Sequence, residues 1–254
     1  MKSPEKKCHQ QANPVNFVSG QKVLSEGKDI ADDFVDFLTN VGPTLARKIE
    51  KPLNNDFSNF MGKSVPQCMY LSPVTEDEIL NIVSNFPPKT SCGFDEINMC
   101  IVKHSIAHIA KPLCHIFNMS FESATFPDKM KIAKIIPLFK GGRKDTFSNY
   151  RPVFLLPQFS KILEKLFYKR LVAFVDSNNL MYNGQYGFRN NHPTSLALLE
   201  LVEELTSNLH SNLVTAGVFI DLKKAFDTID HNILIKELNH YGIRGIASRW
   251  LENY

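Results

Sequence analysis

Residues 214–231 read Val-Thr-Ala-Gly-Val-Phe-Ile-Asp-Leu-Lys-Lys-Ala-Phe-Asp-Thr-Ile-Asp-His. Positions 214–222 form an apolar run rich in β-branched and aromatic residues, the pattern of a strand buried on both faces. Asp221 closes the run, and an acid at the end of a buried strand is costly unless a cation or a set of donors meets it. Asp221 and Asp227, with a strand end between them, suit a divalent metal. Mg²⁺ takes a few carboxylate oxygens and leaves its other positions to water and substrate phosphate. Both acids could instead cap the helix that follows, since Asp is a favoured N-cap, and Asp230 competes with Asp227 for that place. Asp221 stands among apolar neighbours, away from any helix start, so it is the acid assigned to chemistry.

Net charge is +3, unremarkable for a nucleic-acid binder. Its distribution says more. Between residues 129 and 151 there are seven bases (Lys129, Lys131, Lys134, Lys140, Arg143, Lys144, Arg151) against one acid, Asp145. A stripe of that kind is the footprint of a phosphate-binding surface, with a solvated face as the plainer alternative.

Taken in order, residues 1–28 are polar, with little to bury, and read as a flexible leader. Residues 29–46 place Ile30, Phe34, Phe37, Leu38 and Val41 at helical spacing, with Pro43 positioned to end or kink the helix. Residues 47–71 dissolve into a long Asn-, Pro-, Gly- and Ser-containing connection, of the kind that is functional or poorly ordered. Thr75 and Glu78 make a capping box for a helix that stops at Pro87-Pro88. Residues 98–124 are helical in pattern, with Pro112 predicting a break into two helices. Residues 131–139 and 150–156 read as strands joined through Gly141-Gly142, Pro137 demanding an edge or a bulge. An amphipathic helix over 159–175 follows, then a loop over 178–192. Thr194 is expected to cap a helix to about 212 that turns Leu196, Leu199, Val202, Leu205 and Leu209 inward. Asp230 caps the next helix, and Gly242 supplies the left-handed residue after it.

Five cysteines, odd in number and without C-x-x-C spacing, predict reduced thiols in an intracellular protein. The N-terminus has no apolar signal region, and no apolar run is long enough to span a bilayer. Cys100, His104 and His108 recur every fourth residue of one helix, which strings them too far apart, about 12 Å end to end, to share one zinc.

Several blocks together resemble one family, the reverse transcriptase domain of non-LTR (LINE-type) retrotransposons. Lys89-Thr-Ser-Cys-Gly-Phe-Asp-Glu-Ile97 is similar to its S-x-G-x-D-x-I block. Phe126-Pro-Asp128, 133–140, Asn149-Tyr-Arg-Pro152, Leu155-Leu156, Lys161 and Glu164 resemble its fingers hairpin and following helix. Gln185-Tyr-Gly-Phe-Arg189 with Thr194-Ser195 resembles its Q-x-G-F-R block, and 219–231 its first palm motif. The resemblance runs from about residue 30 to 254. Met130, Val153-Phe154 and Pro193 depart from the family's Trp, Ile-Ser and Ser. The family's second palm motif and paired-aspartate hairpin would lie beyond residue 254, and its endonuclease ahead of residue 1.

The resemblance implies an α+β fold, the fingers and the start of the palm of a right-hand polymerase, helix-rich, with an incomplete palm sheet and no thumb. It divides the chain into a leader (1–28), an N-terminal helix and linker (29–71), fingers (72–213) with the basic hairpin 131–156, and the start of the palm (214–254). It implies DNA synthesis on an RNA template from a DNA primer and dNTP, with two Mg²⁺ ions clamping the attacking and leaving oxygens. Asp221 would be the catalytic carboxylate and metal ligand, and the Leu222 carbonyl a second ligand. Lys140 and Arg151 would meet the triphosphate, Arg as a rigid fork and Lys as a compact charge. Phe226 would sit under the sugar and exclude a ribose 2′-hydroxyl, with a core aromatic as the alternative. Arg189 and Gln185 would touch template or nucleotide, a structural salt bridge being the alternative for Arg189. The chain by itself is expected to be inactive, in the nucleus and cytoplasm. A non-catalytic nucleic-acid-binding remnant and a group II intron-type reverse transcriptase are the competing readings.

Overall fold

The computed structural model describes residues 16–19, 22–48, 57–222 and 224–254. Strands β1 (Phe17–Ser19) and β2 (Lys22–Leu24) pair antiparallel and lead into α1 (Gly27–Ala46). After a 3-10 turn (Phe57–Phe60) come α2 (Glu76–Asn85), α3 (Met99–Ser123) and the single turn α4 (Asp128–Lys131). β3 (Lys134–Phe139) and β4 (Tyr150–Leu155) form an antiparallel hairpin that runs into α5 (Gln158–Ser177). α6 (Thr194–His210), a 3-10 turn (Ala225–Thr228), α7 (His231–His240) and α8 (Ile246–Asn253) follow. Helices beside two small sheets make an α+β architecture. No described helix is long and apolar enough to cross a membrane.

Local chemistry sets several boundaries. The Glu78 amide donates to Thr75 Oγ1 (3.2 Å), the Ile101 amide to Asn98 Oδ1 (3.0 Å) and the Asn232 amide to Asp230 Oδ1 (2.9 Å). Each cap contributes about 1 kcal/mol. Gly242 follows α7 at φ 93°. Pro112 behaves otherwise than expected. It lies inside an unbroken α3, and Pro43 inside an unbroken α1. A proline removes one backbone bond, here the one to the His108 carbonyl; His108 is exposed, whereas Ile106, Ala110, Leu113 and Phe117 are buried and keep the helix in place. Thr194 does not cap α6: Pro193 holds the N-cap position with no side-chain bond, and Thr194 begins the helix.

The main core joins α2, α3, α5 and α8 through Ile79, Val83, Val102, Phe117, Ile162, Leu163, Leu166 and Trp250, each about 1% exposed or less. Burying a side chain of this kind contributes about 1.5–3 kcal/mol. Trp250 stacks on Phe167 (centroids 4.4 Å, 9°), and its Nε1 donates to Ser120 Oγ (3.0 Å). Arg170, from α5, donates to both Glu78 carboxylate oxygens (3.2 and 2.9 Å) and to the Ser72 and Pro73 carbonyls. The described end of the long 47–71 connection is fastened to the α7–α8 corner. Val65 N donates to the His240 carbonyl (3.1 Å), Met69 N to that of Gly242 (2.8 Å) and Arg244 Nη2 to that of Val65 (2.6 Å).

A second, smaller core is aromatic. Phe34 meets Phe147 edge-on (4.6 Å, 82°) and Tyr150 (5.3 Å, 85°), while Phe17 packs on Phe34 (5.2 Å) and Phe147 (5.0 Å). The expectation of a leader with little to bury over 1–28 does not hold for its described part, because Phe17 is only 4% exposed. Val18 N also donates to the Asp145 carbonyl (3.0 Å), so β1 is tied to the hairpin turn. Residues 1–15 lie outside the described residues.

Candidate functional site

The hairpin pairs Phe139 with Tyr150, Leu138 with Arg151, and Pro137 with Pro152. Neither proline can donate to a ladder, which suits a sheet of two edge strands. Side chains alternate in direction along each strand. One face carries Ile135, Pro137 and Tyr150, which line a cleft of about 610 Å³ with Ile30, Phe34 and Leu38 of α1. The other carries Ile136, Leu138, Arg151 and Val153, all exposed. Lys140 N donates to the Asn149 carbonyl (2.9 Å), which extends the ladder by one pair. Lys140 and Arg151 are thus both exposed at the turn end of the hairpin.

Part of the local charge is cancelled. Arg143 donates to both Asp145 oxygens (3.1 and 2.6 Å), and this guanidinium holds the Asp145 carboxyl below its usual range. Lys131 pairs with Asp128 (3.0 Å). Lys129, Lys134, Lys140, Lys144 and Arg151 are exposed and form no ion pair with a described residue.

The 214–222 run corrects the sequence reading. It is not a strand, and it is not buried: Val218 is 85%, Phe219 88%, Ile220 82% and Leu222 72% exposed. A doubly buried strand needs neighbours along its edges and layers over its faces, and both described sheets are complete two-stranded pairs that leave this run out. Asp221 is exposed and makes no hydrogen bond or ion pair with a described residue. Nor do Asp221 and Asp227 cap α7, a role Asp230 fills alone. Asp227 sits in the Ala225–Thr228 turn, 3.9 Å from Lys224 Nζ. α6 is also corrected. Leu196 is half-buried, but Leu199, Val202, Leu205 and Leu209 are exposed, because no described element covers that stripe.

Around the turn, the structure brings separate blocks of sequence together. Phe226 is 75% exposed and meets Phe188 of the Gln185–Arg189 block edge-on (6.1 Å, 90°). Gln185 Nε2 bonds within its own loop to the Gly187 carbonyl (2.9 Å), and Arg189 Nη1 donates to that of Tyr182 (3.3 Å) rather than to an acid. Tyr168, Tyr186, Phe188, Arg189 and His192 line an open groove of about 490 Å³. Lys224 Nζ lies over the Phe37 ring of α1 (5.7 Å), and a Cβ on Gly42 would overlap the Asp227 carbonyl oxygen.

Sequence reasoning missed Gly42, whose only mark was the absence of a side chain, and gave Gly93 no role beyond its place in the 89–97 block. A Cβ on Gly93 would stand 2.8 Å from Pro157 N and 3.0 Å from Leu156 C, and Gln158 Nε2 donates to the Ser91 carbonyl (3.0 Å). The 89–97 block is thus docked where the hairpin enters α5. Cys100, His104 and His108 border one open stretch of α3, where His104 Nδ1 bonds to the Cys100 carbonyl (2.7 Å). The described cysteines are free thiols.

No group of three or more His, Cys, Asp or Glu side chains that could hold a metal occurs among the described residues. Asp221 and the Leu222 carbonyl are hard oxygen donors suited to Mg²⁺. Two ions need more carboxylates than that, so the described residues do not fit a two-metal centre by themselves.

A family-wide sequence profile described as "Reverse transcriptase (RNA-dependent DNA polymerase)" matches residues 140–254. The chain is 31% identical over 189 residues to the RNA-directed DNA polymerase from mobile element jockey of Drosophila melanogaster, covering 74% of this chain and 20% of that one. It is 28% identical over 187 residues to the probable RNA-directed DNA polymerase from transposon BS of the same fly, covering 72% and 21%. To the corresponding probable polymerase from the transposon X-element it is 25% identical over 196 residues, covering 76% and 22%. The chain spans about a fifth of the length of these curated relatives.

Proposed function

Because the chain belongs to the reverse transcriptases of non-LTR (LINE-type) elements, we propose that it is part of an RNA-directed DNA polymerase whose cationic hairpin receives the triphosphate of an incoming deoxynucleotide. Residues 72–213 would be its fingers and 214–254 the start of its palm. The observation that carries this is that Lys140 and Arg151 are both exposed at the turn end of the hairpin, unpaired with any described acid. Arg151 engages phosphate oxygens through a planar fork, and Lys140 adds a compact charge. Phe226 is the ring that a ribose 2′-hydroxyl would strike, and its exposure leaves it free to meet a sugar. Phe188 braces it and belongs to the block whose Gln185 and Arg189 are assigned to the RNA template or nucleotide. Asp221 and the Leu222 carbonyl contribute oxygens to a divalent-ion site that needs further donors.

Titration of a primer–template and dNTP at several salt concentrations tests this reading. Lys140→Ala/Arg151→Ala is expected to weaken dNTP binding several-fold and to make it less steeply dependent on salt, because two cations no longer meet the triphosphate. An unchanged slope and affinity would remove the hairpin from the site. The exposed position of Asp221 favours a second reading, a chain that binds nucleic acid without catalysing. Nucleotide binding separates the two: affinity for dATP that is lost in Lys140→Ala/Arg151→Ala supports the polymerase, and nucleic-acid binding without affinity for dATP supports the second.

A further inference from the structure

We propose that Gly42 is a positioning residue: its missing side chain seats the 224–228 turn on α1, and α1 thereby holds Phe226 in register with Lys140 and Arg151. This rests on the hairpin being the nucleotide site. α1 touches both neighbourhoods. Phe34 packs edge-on against Phe147 and Tyr150, which frame the hairpin. Phe37 reaches Phe147 on one side (6.2 Å) and carries Lys224 Nζ over its ring on the other. Five residues further along, Gly42 is buried against the Asp227 backbone, and a Cβ there would meet the carbonyl oxygen and carbon of Asp227.

The obstacle is main chain, not the tip of a side chain, so no rotamer change relieves it. A glycine inside a helix is disfavoured relative to alanine, and the contact supplies the reason for one here. α1 contributes to the small aromatic core and not to the main core, so it acts as a strut between the hairpin and the turn.

Gly42→Ala in the whole 254-residue chain gives opposite signs for the two possibilities. If the turn is not seated on α1, alanine improves the helix, the thermal midpoint rises and amide exchange over 224–228 stays as it was. If it is seated, the turn lifts. The Asp227 amide, which donates to the Lys224 carbonyl (2.9 Å), then exchanges at least tenfold faster. Affinity for dATP falls several-fold, and the dATP-to-ATP preference set by Phe226 drops toward one. The fluorescence of Trp250 should not move, because it reports the other core.

Unchanged or slower exchange at Asp227 overturns the proposal without reference to any nucleotide. Faster exchange with dATP affinity and preference intact overturns it as a positioning role, provided Lys140→Ala/Arg151→Ala loses affinity in parallel. A wild-type chain whose dATP affinity is indifferent to Lys140 and Arg151 overturns the nucleotide site itself, and the positioning role with it.

Discussion

Arg170 and Glu78 show how one pair of residues couples stability to pH. Their side chains are 7% and 12% exposed, and both carboxylate oxygens are engaged. Burial pushes the Glu78 carboxyl up, but the Arg170 guanidinium and the Lys169 ammonium (3.2 Å) outweigh it and hold the group below its ordinary value. A lowered folded-state pKa means stability that is fully present above the unfolded value of about 4.3 and lost as pH falls through the folded one. Glu78→Gln should therefore cost about 3–5 kcal/mol at pH 7, the usual penalty for stranding one partner of a buried pair. At pH 3, below the unfolded value, part of that stability is already lost, and the difference should be smaller than at pH 7. Urea midpoints at the two pH values check it. A gap as wide at pH 3 as at pH 7 would contradict the account. None of this was visible in the sequence, where Arg170 is one more base on a helix and Glu78 one more member of a capping box.

At the scale of elements, α3 shows a proline overruled by packing. Apolar residues on both sides of Pro112 enter the same core, so the helix stays whole at the expense of one backbone bond on its wet side. Pro112→Ala restores that bond and is expected to stabilise by about 1–3 kcal/mol, less than the full helix-interior penalty because alanine also loosens the unfolded chain. A thermal midpoint that falls would show that the proline ring is packed rather than tolerated. The hairpin over 134–155, the capped starts of α2 and α7 and the span of α5 follow from local pattern, since turn chemistry, capping donors and periodicity act within a few residues. α6 follows only half-way: its periodicity makes the helix, but whether a stripe of leucines is buried depends on what lies opposite it.

The whole molecule joins a helical core centred on Trp250 to an aromatic core centred on Phe147, with the 214–222 run attached to neither. Its amides form no backbone bond within the described chain. They should exchange at close to free-peptide rates, whereas those of Ile162, Leu163 and Leu166 should exchange only through global opening. Protection over 214–222 comparable to α5 would mean that the run has found a sheet. Trp250 is the only tryptophan, so its fluorescence follows the docking of α8 directly. Ser120→Ala, which leaves its buried Nε1–H without an acceptor, should cost about 1–3 kcal/mol in that signal's unfolding transition.

The sequence by itself determined which residues could do chemistry and most of the helices that carry them: caps, periodicity and a run of bases are local and survive any arrangement of the chain. It could also point to Asp221, Lys140 and Arg151 as types of group in a recognisable order. Only the tertiary structure decided that Phe188 meets Phe226, that Gly42 lies against Asp227, that Gly93 lies against Pro157, and that the apolar run at 214–222 faces water. These are long-range facts. A glycine carries no signal until another backbone approaches it, and a hydrophobic run becomes a buried strand only when other strands and layers are there to enclose it.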